Sequence, residues 1–163
     1  MKIEVFTDGS CLNNGKPSCT GGWSSVFYIG EKKYIRYGHL PAQSSNNKGE
    51  LMGILYTVHT LQERKDWEIH IYSDSQYCVK ALNEWRKGWA KRAYLDVKNM
   101  DLFGPLFKAW DNHGNSSITW VRGHNGNPKN EEADYWAGKG MRNINQVLTT
   151  RTESVRMVNN LNF

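Results

Sequence analysis

Cysteine is scarce in this chain. The three residues, Cys11, Cys19 and Cys78, form an odd count and lack the paired spacing of a zinc site. This excludes a disulfide-stapled scaffold and a zinc module, and we read all three as reduced thiols of a cytoplasmic protein. Long apolar runs are missing as well: no uncharged stretch approaches the roughly 18 residues of a membrane span, so no membrane partner is expected. Residues 1–6 already alternate like a strand, so a signal peptide is not expected either. No segment repeats and none is of low complexity. Acidic residues are the minority charge, 16 against 21 Lys and Arg, giving a net charge of +5 and a pI of about 9.1. That excess favours an anionic partner without identifying it. What remains is an ordinary globular chain of 163 residues, enough for one domain. A domain of this size buries about 70% of its unfolded surface without needing staples. Tryptophan is the compositional oddity, with seven residues.

Periodicity orders the elements. Lys2 to Thr7 alternates, with Ile3 and Val5 on one face, and predicts a strand. Asp8 to Gly22 is rich in Gly, Asn and Ser and predicts a turn and loop. Trp23 to Ile29 and Lys33 to Leu40 predict a hairpin through Gly30-Glu31-Lys32. Lys48 to Glu63 carries Leu51, Ile54, Leu55, Val58 and Leu61 at helical spacing, with Asn46 or Asn47 as its cap. A strand follows at Glu68 to Ser73, then helices at Ser75 to Trp85 and Asn99 to Asp111, a strand at Ser117 to Val121 and a helix at Asn130 to Met141. Hairpins first and crossover helices afterwards imply an α/β fold, a five-stranded mixed sheet flanked by helices. The segment after Arg142 lacks periodicity, so residues 1–141 form the domain and 142–163 a tail of unknown role.

Four acids, Asp8, Glu50, Asp74 and Asp134, stand in four separate stretches, each framed by small and polar residues. Singly, each has a structural reading. Asp8-Gly9 is a turn signal. Glu50 follows Asn47 at capping-box spacing. Asp74, between Ser73 and Ser75, suits a helix cap. Asp134 suits a solvated helix position. Gly49 lowers helix propensity by about 1 kcal/mol relative to Ala, and so points to a close backbone approach. Together the acids have a second reading. Three of them lie at element starts that can converge on one sheet edge. Converging carboxylates repel one another unless a cation neutralises them, and an oxygen-only donor set selects Mg²⁺ or Mn²⁺ over zinc.

Taken in order, four runs resemble type 1 ribonuclease H of the bacterial ribonuclease HI kind: Phe6-Thr7-Asp8-Gly9-Ser10-Cys11, Asn46-Asn47-Lys48-Gly49-Glu50-Leu51, Ser73-Asp74-Ser75-Gln76-Tyr77, and Val121 to Asp134 with Gly123-His124 near its start. The likeness covers roughly residues 1 to 141. It implies a ribonuclease H-like fold and hydrolysis of the RNA strand of RNA–DNA hybrids, leaving 5′-phosphate and 3′-hydroxyl ends. It further implies two Mg²⁺ ions (or Mn²⁺ in their place) held by Asp8, Glu50, Asp74 and Asp134. His124, on a glycine-flanked loop, would assist proton transfer or product release, and Glu131 would support the site. The chain's roles would be primer removal and hybrid clearance during DNA replication; we expect a monomer, and the sequence names no replication protein as its partner.

For the hybrid itself, the resemblance assigns groove contacts to Asn14, Asn46 and Gln76, and a DNA-phosphate pocket to Ser45 and Asn46. The stretch Trp85-Arg86-Lys87-Gly88-Trp89-Ala90-Lys91-Arg92 is densely basic and interleaves aromatics. Its structural reading is a tryptophan pair on the core beneath a solvated basic face. Its functional reading is the family's basic protrusion, with Trp85, Lys87, Trp89, Lys91 and Arg92 gripping the DNA strand. The protrusion is shorter than in typical bacterial members, and the loop after the first motif is longer. Two other classes stay open: a different nuclease of the same fold, and a non-catalytic hybrid-binding module.

Overall fold

The computed structural model describes residues 1–40 and 44–142. The tail assigned to 142–163 lies, beyond Arg142, outside them. The chain runs β1 (Lys2–Leu12), β2 (Thr20–Ile29), β3 (Lys32–Leu40), α1 (Asn46–Leu61), β4 (Glu68–Ser73), α2 (Gln76–Lys80), a π-helical stretch (Ala81–Trp85), α3 (Arg86–Lys91), α4 (Met100–His113), β5 (Ser116–Trp120) and α5 (Pro128–Arg142). One five-stranded sheet has the order β3-β2-β1-β4-β5. β1, β2 and β3 are antiparallel, whereas β1, β4 and β5 are parallel.

Two regions depart from the sequence reading. The predicted loop from Asp8 to Gly22 is mostly strand. β1 continues to Leu12, pairing Asp8 with Ser24 and Leu12 with Thr20, because β2 runs alongside and supplies the ladder. Side-chain polarity marks a turn only when no neighbour supplies the ladder. This hairpin brings Cys11 and Cys19 together as a disulfide, with Cα atoms 6.4 Å apart. The reduced-thiol reading therefore fails for those two and stands for Cys78, which is free and buried. In the second region, the helix predicted to end at Trp85 runs on through the π-helical stretch to Lys91.

The sheet has two dry faces. On one, Ile3, Val5, Ile69, Ile71 and Ile118 meet α1 and α4 through Leu51, Ile54, Leu55, Leu102 and Leu106. Each such side chain, fully buried, contributes about 1.5–3 kcal/mol. On the other, Phe6, Val26, Ile35 and Tyr37 meet α5 through Ala133 and Trp136. Alternation along β1 thus serves both helical layers.

Glycine sets how closely the helices lie. A Cβ on Gly9 would stand 2.3 Å from the backbone N of Glu50, and one on Gly49 would stand 2.7 Å from the Gly22 carbonyl oxygen. The close approach expected at Gly49 is therefore made by the chain's own strands. Across the sheet, a Cβ on Gly22 would lie 2.2 Å from the Ala137 carbonyl oxygen. Both covering helices touch the backbone of the β1–β2 hairpin.

Candidate active site

Parallel pairing delivers the first two acids. Thr7 of β1 stands opposite Ser73 of β4, and the next residue on each strand is Asp8 and Asp74. α1, seated against β1 by the Gly9–Gly49 contact, brings Glu50 over Asp8. One carboxylate oxygen from each of these three lies within 4.8 Å of the others. Asp134 arrives from the opposite layer. Ser24, paired with Asp8 in register, donates its hydroxyl to the Ala133 carbonyl at 2.6 Å, which fixes the α5 turn that carries Asp134. All four acids and His124 line one cleft of about 390 Å³, together with Ser10, Asn46 and Ser75.

The helix caps bear on the structural reading of Glu50 and Asp74. α1 is capped by Ser45, whose hydroxyl accepts from Lys48 N at 3.1 Å, so the expected Asn46 or Asn47 cap is not used. Glu50 therefore lies beyond capping-box position. α2 is capped by Ser75, whose hydroxyl accepts from Cys78 N at 3.2 Å, while the Ser73 hydroxyl accepts from Ser75 N. Neither Asp74 nor Glu50 does capping work.

Burial of these acids is costly. Asp8 is 3% exposed and Glu50 9%. Desolvation pushes the Asp8 carboxyl up to about 8, helped by the Asp74 and Asp134 charges and opposed by hydrogen bonds from Glu50 and Gly9. Desolvation and the Asp8 charge hold Glu50 well above the usual carboxylate range. Asp74 is raised less simply, by its own burial, against a hydrogen bond from Asp8 and the influence of His124. Glu50 Oε2 is buried without a hydrogen-bond partner. Three carboxylates crowded together with an orphaned oxygen form a donor set that fits a hard divalent cation, and the all-oxygen chemistry suits Mg²⁺ or Mn²⁺.

His124 sits at the cleft mouth with φ +53°, a left-handed conformation unusual for a non-glycine residue. The preceding Gly123 lies so close to Asp74 that a Cβ there would stand 2.6 Å from Asp74 Oδ2. The loop is thus registered on the acid it adjoins. Glu131 is exposed in the first turn of α5 and is not among the cleft-lining residues.

The proposed hybrid contacts fall into three places. Asn14 lies on the β1–β2 loop, and its Oδ1 accepts from Asn46 N at 3.2 Å, so the longer loop still reaches the start of α1. Ser45 is occupied as the α1 cap. Gln76 is exposed beside the cleft, in a neighbouring depression. Lys87, Lys91 and Arg92 are exposed on and just after α3, and Trp85 is 38% exposed. Trp89 leans inward, its ring 5.2 Å from that of Phe103 and 6.0 Å from that of Trp85. Arg86 leaves the basic face altogether: its Nη2 donates to both Asp111 carboxylate oxygens at 2.6 and 2.7 Å.

Sequence reasoning missed Ser24 and Trp120. Ser24 carries no motif signal, since its role comes from lying opposite Asp8 across the hairpin. Trp120 ends β5 and donates its Nε1–H to the Asp74 carbonyl at 3.2 Å. Its position three residues before Gly123 was the available signal.

Comparison with known proteins agrees with this geometry. The sequence profile of the family described as RNase H matches residues 1–142. The chain is 36% identical over 149 residues to a ribonuclease H of Herminiimonas arsenicoxydans, covering 88% of this chain and 97% of that one. It is 37% identical over 149 residues to ribonuclease HI of Caulobacter vibrioides, covering 88% and 95%. Among solved structures, LC9-RNase H1, described as a type 1 RNase H with the type 2 active-site motif, superposes with a TM-score of 0.74 at 25% identity, covering 86% of this chain and 72% of that one. The chain belongs to the ribonuclease H family.

Proposed function

We propose that the chain hydrolyses the RNA strand of RNA–DNA hybrids at the Asp8–Glu50–Asp74 cluster, with Asp134 completing the carboxylate set for two Mg²⁺ ions and 5′-phosphate and 3′-hydroxyl ends as products. One observation carries the reading: two buried carboxylates and a half-buried third meet within 4.8 Å although none is needed as a cap. A fold that crowds uncompensated acids invests stability in a cation site. Bound there, such ions would activate a water and stabilise the charge on the leaving oxygen of an in-line displacement.

The remaining roles belong to the chain's own groups. Asp8 and Glu50 are rigid, one on the central strand and one on a helix seated against it by backbone contact, so they define the position of the scissile phosphate. Asp74 and Asp134 are more open and border the cleft where a strand enters. His124 at the mouth holds or passes a proton at the departing 3′-oxygen and helps release product, and Glu131 supports that loop from α5. Asn14, Asn46 and Gln76 read the minor groove, where the 2′-hydroxyl separates RNA from DNA. Ser45 and Asn46 hold a DNA phosphate. Trp85, Lys87, Trp89, Lys91 and Arg92 engage the DNA strand further out. Such contacts go to backbone and sugar, so cleavage is nearly independent of sequence. The protein acts as a cytoplasmic monomer in primer removal and hybrid clearance during DNA replication. Among the described residues no helix is long and apolar enough to cross a membrane.

Incubation of an end-labelled RNA–DNA hybrid with the protein, in Mg²⁺ and in EDTA, tests this. Single-stranded RNA, double-stranded RNA and double-stranded DNA serve as controls. The expected outcome is metal-dependent cutting of the hybrid's RNA strand alone. Binding without cutting would show a recognition module, and cutting of double-stranded DNA would place the chain in another nuclease branch.

A further inference from the structure

A large aromatic stands exposed beside the acidic cleft with no core role to account for it. Trp120 pairs in register with Ser73, one residue before Asp74, and is 42% exposed. The inward side chain of β5 is Ile118. The indole is nevertheless held: Nε1 donates to the Asp74 carbonyl at 3.2 Å, and Val121 N donates to the Ser73 carbonyl at 2.9 Å. With its N–H committed, the ring offers a face and an edge to solvent.

That ring walls a shallow depression of about 270 Å³ together with Gln76, Val79, Lys80 and Glu84. Gln76, Lys80 and Glu84 recur every fourth residue, roughly one helical turn apart, on the helix that begins at Gln76. Asp74 and Ser75 line the acidic cleft and Gln76 lines the depression, so the two concavities meet along one tripeptide. A strand leaving the cleft on the β5 side passes Gln76, then Lys80.

We propose that Trp120, Gln76 and Lys80 form a subsite for the RNA-strand nucleotide adjoining the scissile phosphate, with the indole packed on its ribose and the Lys80 ammonium on the next phosphate. This rests on the hybrid-hydrolysis reading above. In a duplex the bases are paired and stacked, so an exposed ring meets the sugar edge without unstacking anything. A ribose presents C–H groups that suit a flat aromatic surface, and the Gln76 amide can both donate to and accept from its 2′-hydroxyl. Lys80 is exposed and supplies the charge that a phosphate requires.

The test uses the full chain and two readouts. Hybrid affinity in EDTA, by fluorescence anisotropy, reports the subsite whether or not the protein cuts. Steady-state cleavage in Mg²⁺ reports its use in turnover. Trp120→Ala should weaken hybrid binding and raise KM about tenfold, with kcat changing less than KM. Trp120→Phe, which keeps a ring but loses the N–H, should recover most of that loss. Lys80→Gln, on an exposed helix position where folding is not at risk, should weaken binding about threefold and flatten its salt dependence. A single deoxynucleotide placed at the adjoining position should weaken binding to the unsubstituted chain and leave Gln76→Ala indifferent, because the Gln76 amide is the group that meets the 2′-hydroxyl. Unchanged affinity in both Trp120→Ala and Lys80→Gln overturns the proposal. So does a fall in kcat alone that Trp120→Phe shares, which would make the residue only a support for the Asp74 backbone. Failure of the unsubstituted chain to cut, with the binding losses present, would sink the hydrolytic reading and leave the subsite standing.

Discussion

Replacing Asp8 with Asn should make the cation-free protein more stable while ending its activity. Asp8 is buried against Glu50, and its carboxyl is pushed up to about 8, chiefly by desolvation. In the unfolded chain the same carboxyl titrates near 3.9. A folded-state value above the unfolded one means that stability is full below about pH 4 and is lost as pH rises through about 8. At pH 7 the unfolded chain has released a proton that the folded chain keeps. The gap of about three pH units, at about 1.36 kcal/mol each, sets a ceiling near 4 kcal/mol. Asn keeps the shape without the charge, and it also relieves Glu50. We expect a gain of roughly 2–4 kcal/mol, or roughly 5–15 °C in Tm for a chain of this size. The assay is thermal unfolding by circular dichroism in EDTA at about pH 5, 7 and 9, repeated with excess Mg²⁺. The difference between the two proteins should widen with pH and level off above about 8. Mg²⁺ should raise the Tm of the unsubstituted protein and barely move Asp8→Asn, because a ligand stabilises only the state that binds it. An Asp8→Asn protein no more stable than its parent at pH 7 in EDTA, or a difference that ignores pH, would refute the claim that these acids are crowded at the expense of the fold.

Asp74→Asn should abolish hybrid cleavage with an unchanged circular dichroism spectrum, whereas Ser75→Ala should cost about 1 kcal/mol of stability by removing the α2 cap and should keep cleavage. The reverse pattern would restore the capping role to Asp74. Gly49→Ala should destabilise by roughly 1–3 kcal/mol, because its Cβ would stand 2.7 Å from the Gly22 carbonyl oxygen, and it should lower kcat by tilting Glu50 away from Asp8. Denaturant titration and single-turnover kinetics read the two effects. Neutralising Lys87, Lys91 and Arg92 together should weaken hybrid binding and reduce its salt slope by as much as about 2–3; an unchanged slope in a salt titration would remove α3 from the interface.

The sheet was legible wherever side chains alternate or recur regularly. Glu68–Ser73 lies where Ile69 and Ile71 placed it, and the apolar stripe of α1 located that helix within two residues. Legibility failed where pairing overrides composition. Asp8 to Leu12 has turn residues, yet it is strand because β2 lies alongside, and an odd cysteine count gave no hint that Cys11 and Cys19 meet across that hairpin. Helix 2 appeared to end at Trp85 because a π-helical stretch shifts its periodicity there. The acids were legible as an ordered set and illegible one at a time, since each also resembled a cap or a turn. Ser45 and Ser75 remove the capping reading for Glu50 and Asp74 by taking those roles themselves. Arg86 shows the opposite limit: it belongs to a basic run by sequence, but Asp111, one helix away, claims it.

The parallel pairing of β1 with β4 has a kinetic consequence. The acids come from β1, α1, the end of β4 and α5, so no fragment shorter than nearly the whole described chain can assemble them. Parallel pairing also requires the intervening crossover to close first, a non-local and slow event. A cation would meet a complete set of these acids only in a chain that has docked all four elements. Ions of this kind should leave the folding rate alone and slow unfolding, acting as a latch on a finished structure. Denaturant-jump kinetics with and without Mg²⁺ would show this as a shift confined to the unfolding limb.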